Sequence, residues 1–327
     1  MSRKLFALSL TATLMGGAAY ADTPQVAVDI APVHSLVARV MDGIGKPDLI
    51  IQSGASPHEY SLRPSEASAL QAADLVFWIG PDLTPWLTDT IGTLASDAVV
   101  TELMEADGTI ELEFREGALF EAHDHGDDDD HDDHGDDDHG DDDDHDEAES
   151  GHEGHDHGAH DPHAWLSPKN AMNWLNVIAG RLSAVDPDNA GAYFANAAAG
   201  RTEIETLIGE VTATLDPVRG GQFIVFHDAY QYFEMDFDFP ASGAISVSDA
   251  SDPSPARIAK IQARIAEQGI DCVLAEPQFN PGLVATVLDG TDAQTGILDP
   301  LGSDLEPGPA FYPQLIRNLS TALAGCF

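Results

Sequence analysis

The sequence predicts an α/β protein of two lobes, each with a mainly parallel sheet flanked by helices, joined by a long backbone helix. Three observations carry this prediction. Short apolar runs alternate with helical patterns over residues 25–101 and again over 222–324, the order that builds parallel sheets. Two long helical patterns stand back to back between these halves. A chain of 327 residues, 43% hydrophobic and 7% aromatic, also has enough apolar side chains for two cores.

In chain order, residues 25–30 read as a strand and 32–41 as an amphipathic helix ending at Gly43. Residues 48–51 are a second strand, running into the turn-rich stretch SGASPHEY that contains His58. Pro64 suits the first turn of a helix over 64–73. The run LVFWIG at 75–80 is apolar throughout, as in a strand buried on both faces. A helix at 83–91, a strand at 98–101 and an alternating edge strand at 111–114 follow. The two long helices occupy 167–185, stopped by Pro187, and 188–215, with Tyr193, Ile204, Leu207 and Val211 on one stripe. The second half gives strands at 222–226, 271–275 and 296–298, and helices carrying Ile258 to Ile265, at 282–288 and at 311–324. Ligands of open α/β sheets bind beyond the carboxyl ends of strands, where His58, His227, Glu276 and Asp299 all stand.

The chain divides into an export signal at 1–21, an N-terminal lobe at 22–120, a His/Asp-rich disordered loop at 121–161, a stretch at 162–186 that completes the first lobe and forms the inter-lobe helix, and a C-terminal lobe at 187–327. The signal is read from the basic start MSRK, an apolar run too short for a membrane span, and Ala19-Tyr20-Ala21 before Asp22. Cleavage after Ala21 and a periplasmic location are expected.

The formal charge is −43, and the segment from Glu121 to Asp161 supplies about half of it with 21 acidic residues and no Lys or Arg. This excludes nucleic acid as a partner and favours cations or basic surfaces. The same segment holds ten histidines: His123, His125, His131, His134, His139, His145, His152, His155, His157 and His160. Imidazoles and carboxylates at this density can hold several transition-metal ions in exchanging geometries. Only four other histidines exist. His34 lies in the first helix and reads as structural. His58, His163 and His227 each follow a strand or stand where the loop rejoins the fold, and neutral imidazole suits Zn2+. The two cysteines, Cys272 and Cys326, read as a disulfide in an oxidising compartment, with thiolate ligation the alternative. A three-histidine site also matches hydrolytic zinc centres, but no HExxH or GxSxG sequence supplies a base or nucleophile, so no enzyme is expected. Asp228, beside His227, reads as the cap of the helix that follows.

The stretches SGASPHEYSLRPSE, DPHAWLSPKNA and FIVFHDAYQYF, in this order and with a His/Asp-rich insertion before the second, resemble the zinc-binding substrate-binding proteins of bacterial ABC importers, the ZnuA type within the cluster A-I metal-binding family. The resemblance covers the whole mature chain. It implies metal held between the lobes by His58, His163 and His227, and Zn2+ as transported ligand. Manganese-type relatives carry glutamate at the third position, so histidine at 227 favours zinc. The fourth ligand stays open: some zinc members place a carboxylate just before the first histidine, where this chain has Pro57. Water comes first, then Asp299, then Glu59. The implied partner is an ABC-importer membrane permease, with a periplasmic metallochaperone a further candidate and the protein itself a monomer. The other function considered is a periplasmic zinc buffer or chaperone acting mainly through the loop.

Overall fold

The computed structural model describes residues 23–115, 120, 160–246 and 253–327. The export signal and every loop histidine from His123 to His157, with the disorder expected of that loop, lie outside the described residues. Strands β1 (Val26–Val28), β2 (Asp48–Leu49), β3 (Leu75–Trp78) and β4 (Val99–Glu102) alternate with helices α1 (Ala31–Val40), α2 (Pro64–Ala72) and α3 (Pro85–Leu94). All three pairings are parallel and the strand order is β2-β1-β3-β4. Helices α4 (Pro168–Val185) and α5 (Ala190–Leu215) come next. The second lobe runs β5 (Phe223–His227), α6 (Gln231–Phe237), β6 (Ala244–Ser246), α7 (Pro255–Gln268), β7 (Cys272–Ala275), α8 (Pro281–Leu288), β8 (Gln294–Ile297) and α9 (Phe311–Ala324). Its order, β6-β5-β7-β8, repeats that of the first lobe, again wholly parallel.

Local chemistry marks where these elements start. Prolines occupy the first turn of α1, α2, α3, α4, α7 and α8, where a missing N–H costs nothing. Ser167, Ser254 and Asn280 accept backbone N–H bonds at the starts of α4, α7 and α8. Strands β1 and β3 are buried at every position, as layers covered on both faces must be.

The lobes do not hang on loops. The 26-residue helix α5 packs against α4, α9 and α1, and α1 and α9 also touch each other. One apolar core runs through this spine, with Trp165, Trp174, Tyr193 and Tyr312 fully buried. A smaller cluster around Ile224, Ile245, Ile261 and Val287 lies between the second sheet and α7 and α8. Tyr312 of α9 ties back to the first lobe, its N–H donating to Ser35 Oγ at 2.9 Å and its hydroxyl to the Trp165 carbonyl at 3.0 Å. The Cys272–Cys326 disulfide joins β7 to the residue just past α9. Among the described residues no helix is long and apolar enough to cross a membrane.

The structure departs from the sequence reading in three places. The expected edge strand at 111–114 is one antiparallel bridge, Glu113 with His160, across the two ends of the acidic insertion. Strand β6, at Ala244–Ser246, is too short to leave a period. Asp228 does not cap α6, whose N-cap, Tyr230, makes no side-chain capping bond; its carboxylate turns instead to Arg115.

Buried Asp29, at the end of β1, receives the N–H groups of Ile30 and Ile79, both at 2.7 Å, and so locks β1 to β3. Burial pushes its carboxyl up to about 7, against the pull of those two bonds. An acid whose pKa is higher folded than unfolded leaves the native state holding the extra proton between the two values, so stability falls as pH rises from about 4 to about 7. Urea unfolding of the metal-free protein across this window is expected to show that decline, and Asp29→Asn a shallower one. Equal slopes would refute the assignment.

Candidate metal site in the inter-lobe cleft

Three turns bring three imidazoles to one place. His58 follows β2 on a turn pinned by Trp86, whose Nε1 donates to the Pro57 carbonyl at 2.8 Å. His163 precedes a 3-10 turn, Ala164–Leu166, at the foot of α4. His227 ends β5. The three rings line one small pocket with Glu276, Gln278 and Phe279. His163 and His227 are each only 5% exposed. The space open to the centre of a water-sized sphere is about 10 Å³, room for one small guest. A larger depression of about 790 Å³ lies at the opposite end of the second sheet, beside Asp271, Asp292 and Phe327, and no histidine lines it.

Carboxylates fix the orientation of two rings. Asp161 Oδ1 accepts the backbone N–H of His163 at 3.0 Å and lies 2.7 Å from its Nδ1. Glu276 Oε1 lies 2.6 Å from Nδ1 of His227 and accepts that residue's N–H at 3.3 Å. The second pairing follows from sheet register: Ile224 sits opposite Val273, so three residues on, position 227 faces 276. A carboxylate at Nδ1 holds the ring hydrogen there and turns the Nε2 lone pair to the other side. The two Nε2 atoms are 3.4 Å apart, with ring centres 5.2 Å apart. The His58 ring is farther from His163, at 5.8 Å, and among the described residues no three His, Cys, Asp or Glu side chains are already closed into a metal-holding set.

Both carboxylates are buried. Burial pushes Asp161 up to about 7, against the His163 N–H and the charges of Arg115 and His227. Burial also raises Glu276, with His227 opposing it. The hydroxyl of Tyr230 stands beside the same carboxylate but donates to the Leu298 carbonyl at 2.9 Å.

The alternative ligands read from the sequence face elsewhere. Asp299 uses Oδ1 to accept the N–H groups of Leu301 and Gly302, and Oδ2 to accept those of Ser303 N–H and Oγ–H, all within 3.0 Å. It shapes the Pro300–Leu301 wall without lining the pocket itself. Glu59 is exposed and does not line the pocket. His34 is buried with Nε2 3.1 Å from the Pro47 carbonyl, a structural contact. His160, the last histidine of the insertion, pairs with Glu113 through the backbone bridge and lies 3.7 Å from Glu111.

Sequence reading missed Arg115. It leaves the first lobe at the start of the insertion and reaches α6, with Nη1 2.7 Å from Glu234 and Nε 3.0 Å from Asp228; its guanidinium also lies 3.6 Å from the Phe120 ring. Burial would weaken its charge, but the Glu234 and Asp228 carboxylates hold its proton more firmly than usual. Burial raises both carboxyls and Arg115 opposes the rise. Arg115→Met is expected to cost about 3 kcal/mol at pH 8, less than a fully enclosed ion pair because the arginine side chain is 18% exposed. The loss should shrink at pH 5.5, where the stranded carboxyls take up protons. Urea midpoints at the two pH values measure this, and a pH-independent loss would refute it.

Two parallel-sheet lobes on a helical spine, with imidazoles from both lobes meeting in the cleft, define a two-lobed receptor of the metal-binding kind. The family model for zinc-uptake complex component A, periplasmic, matches residues 26–326. The chain belongs to this family, the ZnuA family. The high-affinity zinc uptake system protein ZnuA of Brucella abortus is 49% identical over 322 residues, covering 98% of this chain and 96% of its own. A structure described as the crystal structure of ZnuA superposes with a TM-score of 0.71 at 21% identity, covering 93% of this chain and 99% of its own. Another, described as a 138-173 ZnuA deletion mutant plus zinc bound, gives 0.71 at 22% identity, with 93% and 98% covered.

Proposed function

We propose that this chain is a periplasmic receptor that captures Zn2+ between its lobes through His58, His163 and His227 and hands it to the membrane permease of an ABC importer. One observation carries the reading. Nε2 of His163 and Nε2 of His227 stand 3.4 Å apart, and the nitrogens of two imidazoles on one tetrahedral Zn2+ stand about 3.3 Å apart at ~2.05 Å per bond. The His163–His227 pair is therefore already spaced as one edge of a zinc site, and His58 completes a face by a small approach. Histidine rather than carboxylate at all three positions supports zinc as the cargo.

The insertion supports a second, compatible role as a collector of ions. The Glu113–His160 bridge roots it three residues from His163, so ions gathered there would be released at high local concentration beside the cleft. Calorimetry on a variant lacking residues 123–157 separates the two. One tight zinc site should survive the deletion while weaker binding events disappear; loss of the tight site on deletion would overturn the cleft assignment.

A further inference from the structure

The three histidines are held in different ways. His163 stands at the foot of α4 and His227 at the end of β5, and a carboxylate meets Nδ1 of each ring. His58 lies instead in residues 50–63, a stretch without helix or strand. A ligand on such a stretch is placed by the side chains around it. Two side-chain bonds bracket His58. One residue before it, the Pro57 carbonyl accepts from Trp86 Nε1 of α3 at 2.8 Å. Two residues after it, the Tyr60 hydroxyl donates to Glu66 Oε1 at 2.8 Å. The other Glu66 oxygen accepts the Arg63 N–H at 2.7 Å, where α2 begins. Glu66 is only 3% exposed, a placing whose desolvation cost those bonds offset. The Tyr60 and Trp86 rings also pack on each other, centres 5.8 Å apart, so the two anchors form one brace. Burial and the Glu66 carboxylate raise the Tyr60 hydroxyl above its usual pKa, which keeps it a donor.

We propose that Tyr60, Glu66 and Trp86 are positioning residues for zinc capture, holding the His58 turn at the distance from which its ring can close on an ion held by His163 and His227. The inference rests on the three-histidine reading and adds to it the residues that make the third imidazole available. Only His58 and Glu59 lie between the anchored positions, so the ring can travel while the turn stays in place. Its centre stands 5.8 Å from that of His163, against 5.2 Å for the His163–His227 pair, a difference this short span can cross. Without the brace the turn would have to be ordered each time an ion binds, and that entropy would be lost from the affinity.

The test uses the full mature chain and zinc competition against a chelating indicator. Tyr60→Phe keeps the ring on Trp86 and removes only the hydroxyl; it should weaken zinc about 10-fold, the lower end for residues that hold a metal ligand from outside the shell. The loss should act through His58. In a His58→Ala background Tyr60→Phe should therefore change the affinity no further, whereas in a His227→Ala background its effect should persist. Wild-type affinity in Tyr60→Phe would overturn the inference, and so would an equal loss with and without His58, which marks a general structural effect. Trp86→Phe, which removes the bond to Pro57, carries the same cycle if Tyr60→Phe does not fold. His58→Ala separates the two layers: if it loses tight zinc while Tyr60→Phe does not, the histidine site stands and the brace falls; if it binds as the wild type does, the histidine site itself falls.

Discussion

The variant His58→Ala, His227→Ala is expected to lose tight zinc binding, with affinity lower by about four orders of magnitude. Zinc sites of four protein ligands are worth ~10–16 kcal/mol at neutral pH, about 3 kcal/mol per ligand, so two removed histidines cost about 6 kcal/mol, and each 1.4 kcal/mol is tenfold. The double change strips both faces of the site. It leaves the buried His163–Asp161 pair intact, so the second shell under the remaining ring is undisturbed. His227→Ala also strands Glu276, whose Oε1 would lose its partner, and the apo protein should be slightly less stable as a result. Two readings are needed: chelator competition for affinity, and the thermal midpoint with and without zinc. The wild type should gain stability with zinc by mass action, and the double variant should gain none. A double variant still stabilised by micromolar zinc would place the tight site elsewhere.

Second in size is the disulfide. Cys326→Ser is expected to destabilise the protein by about 4 kcal/mol, from the chain-entropy relation for the 54-residue separation of Cys272 and Cys326. The effect should be felt beyond the second lobe. Residue 326 ends the segment of α9, and α9 packs on α5 and α1 as well as β8, so the staple anchors a helix that both lobes share. Denaturant unfolding of oxidised wild type, reduced wild type and Cys326→Ser gives the loss directly. Reduced wild type and the variant should agree, and zinc affinity at saturating folded protein should stay within a few-fold of the wild type, because Cys272 and Cys326 are absent from the metal pocket. A large affinity loss without a stability loss would argue for thiolate ligation.

Much of the fold was legible because its signals are local. The continuous apolar runs of β3 and β5, the first-turn prolines and the stripe of α5 are each contained in a few consecutive residues. The short strand β6 and the single bridge at Glu113 were not, since two or three residues set no period and their pairing depends on a distant partner. The same division runs through the site. His58, His163 and His227 stand out by type and by position after strands. Glu276 was placed at a strand end, but its contact with His227 depends on the register of β5 against β7, which no local pattern encodes. Asp299 stood second to water as a fourth ligand in the sequence, and only the structure shows both its oxygens spent on the next turn, on backbone N–H groups and the Ser303 hydroxyl. Arg115 carried no signal, because its carboxylates lie 113 and 119 residues downstream.

The closed base of the insertion has a consequence for chain length. Glu113 and His160 meet in a bridge, Asp161 N–H donates to the Leu112 carbonyl at 2.8 Å, and the Tyr232 hydroxyl accepts from Leu112 N–H and donates to the Asp161 carbonyl. With the two ends clamped to each other and to α6, the part of the insertion beyond Arg115 and Phe120, which themselves pack back toward α6, is topologically a side branch. Lengthening or shortening it changes only a closure entropy, about 0.6 kcal/mol per doubling, and leaves the positions of His163 and the cleft untouched. The protein thus has a built-in port at which sequence of any size and chemistry can be spliced in without renegotiating the receptor that carries it.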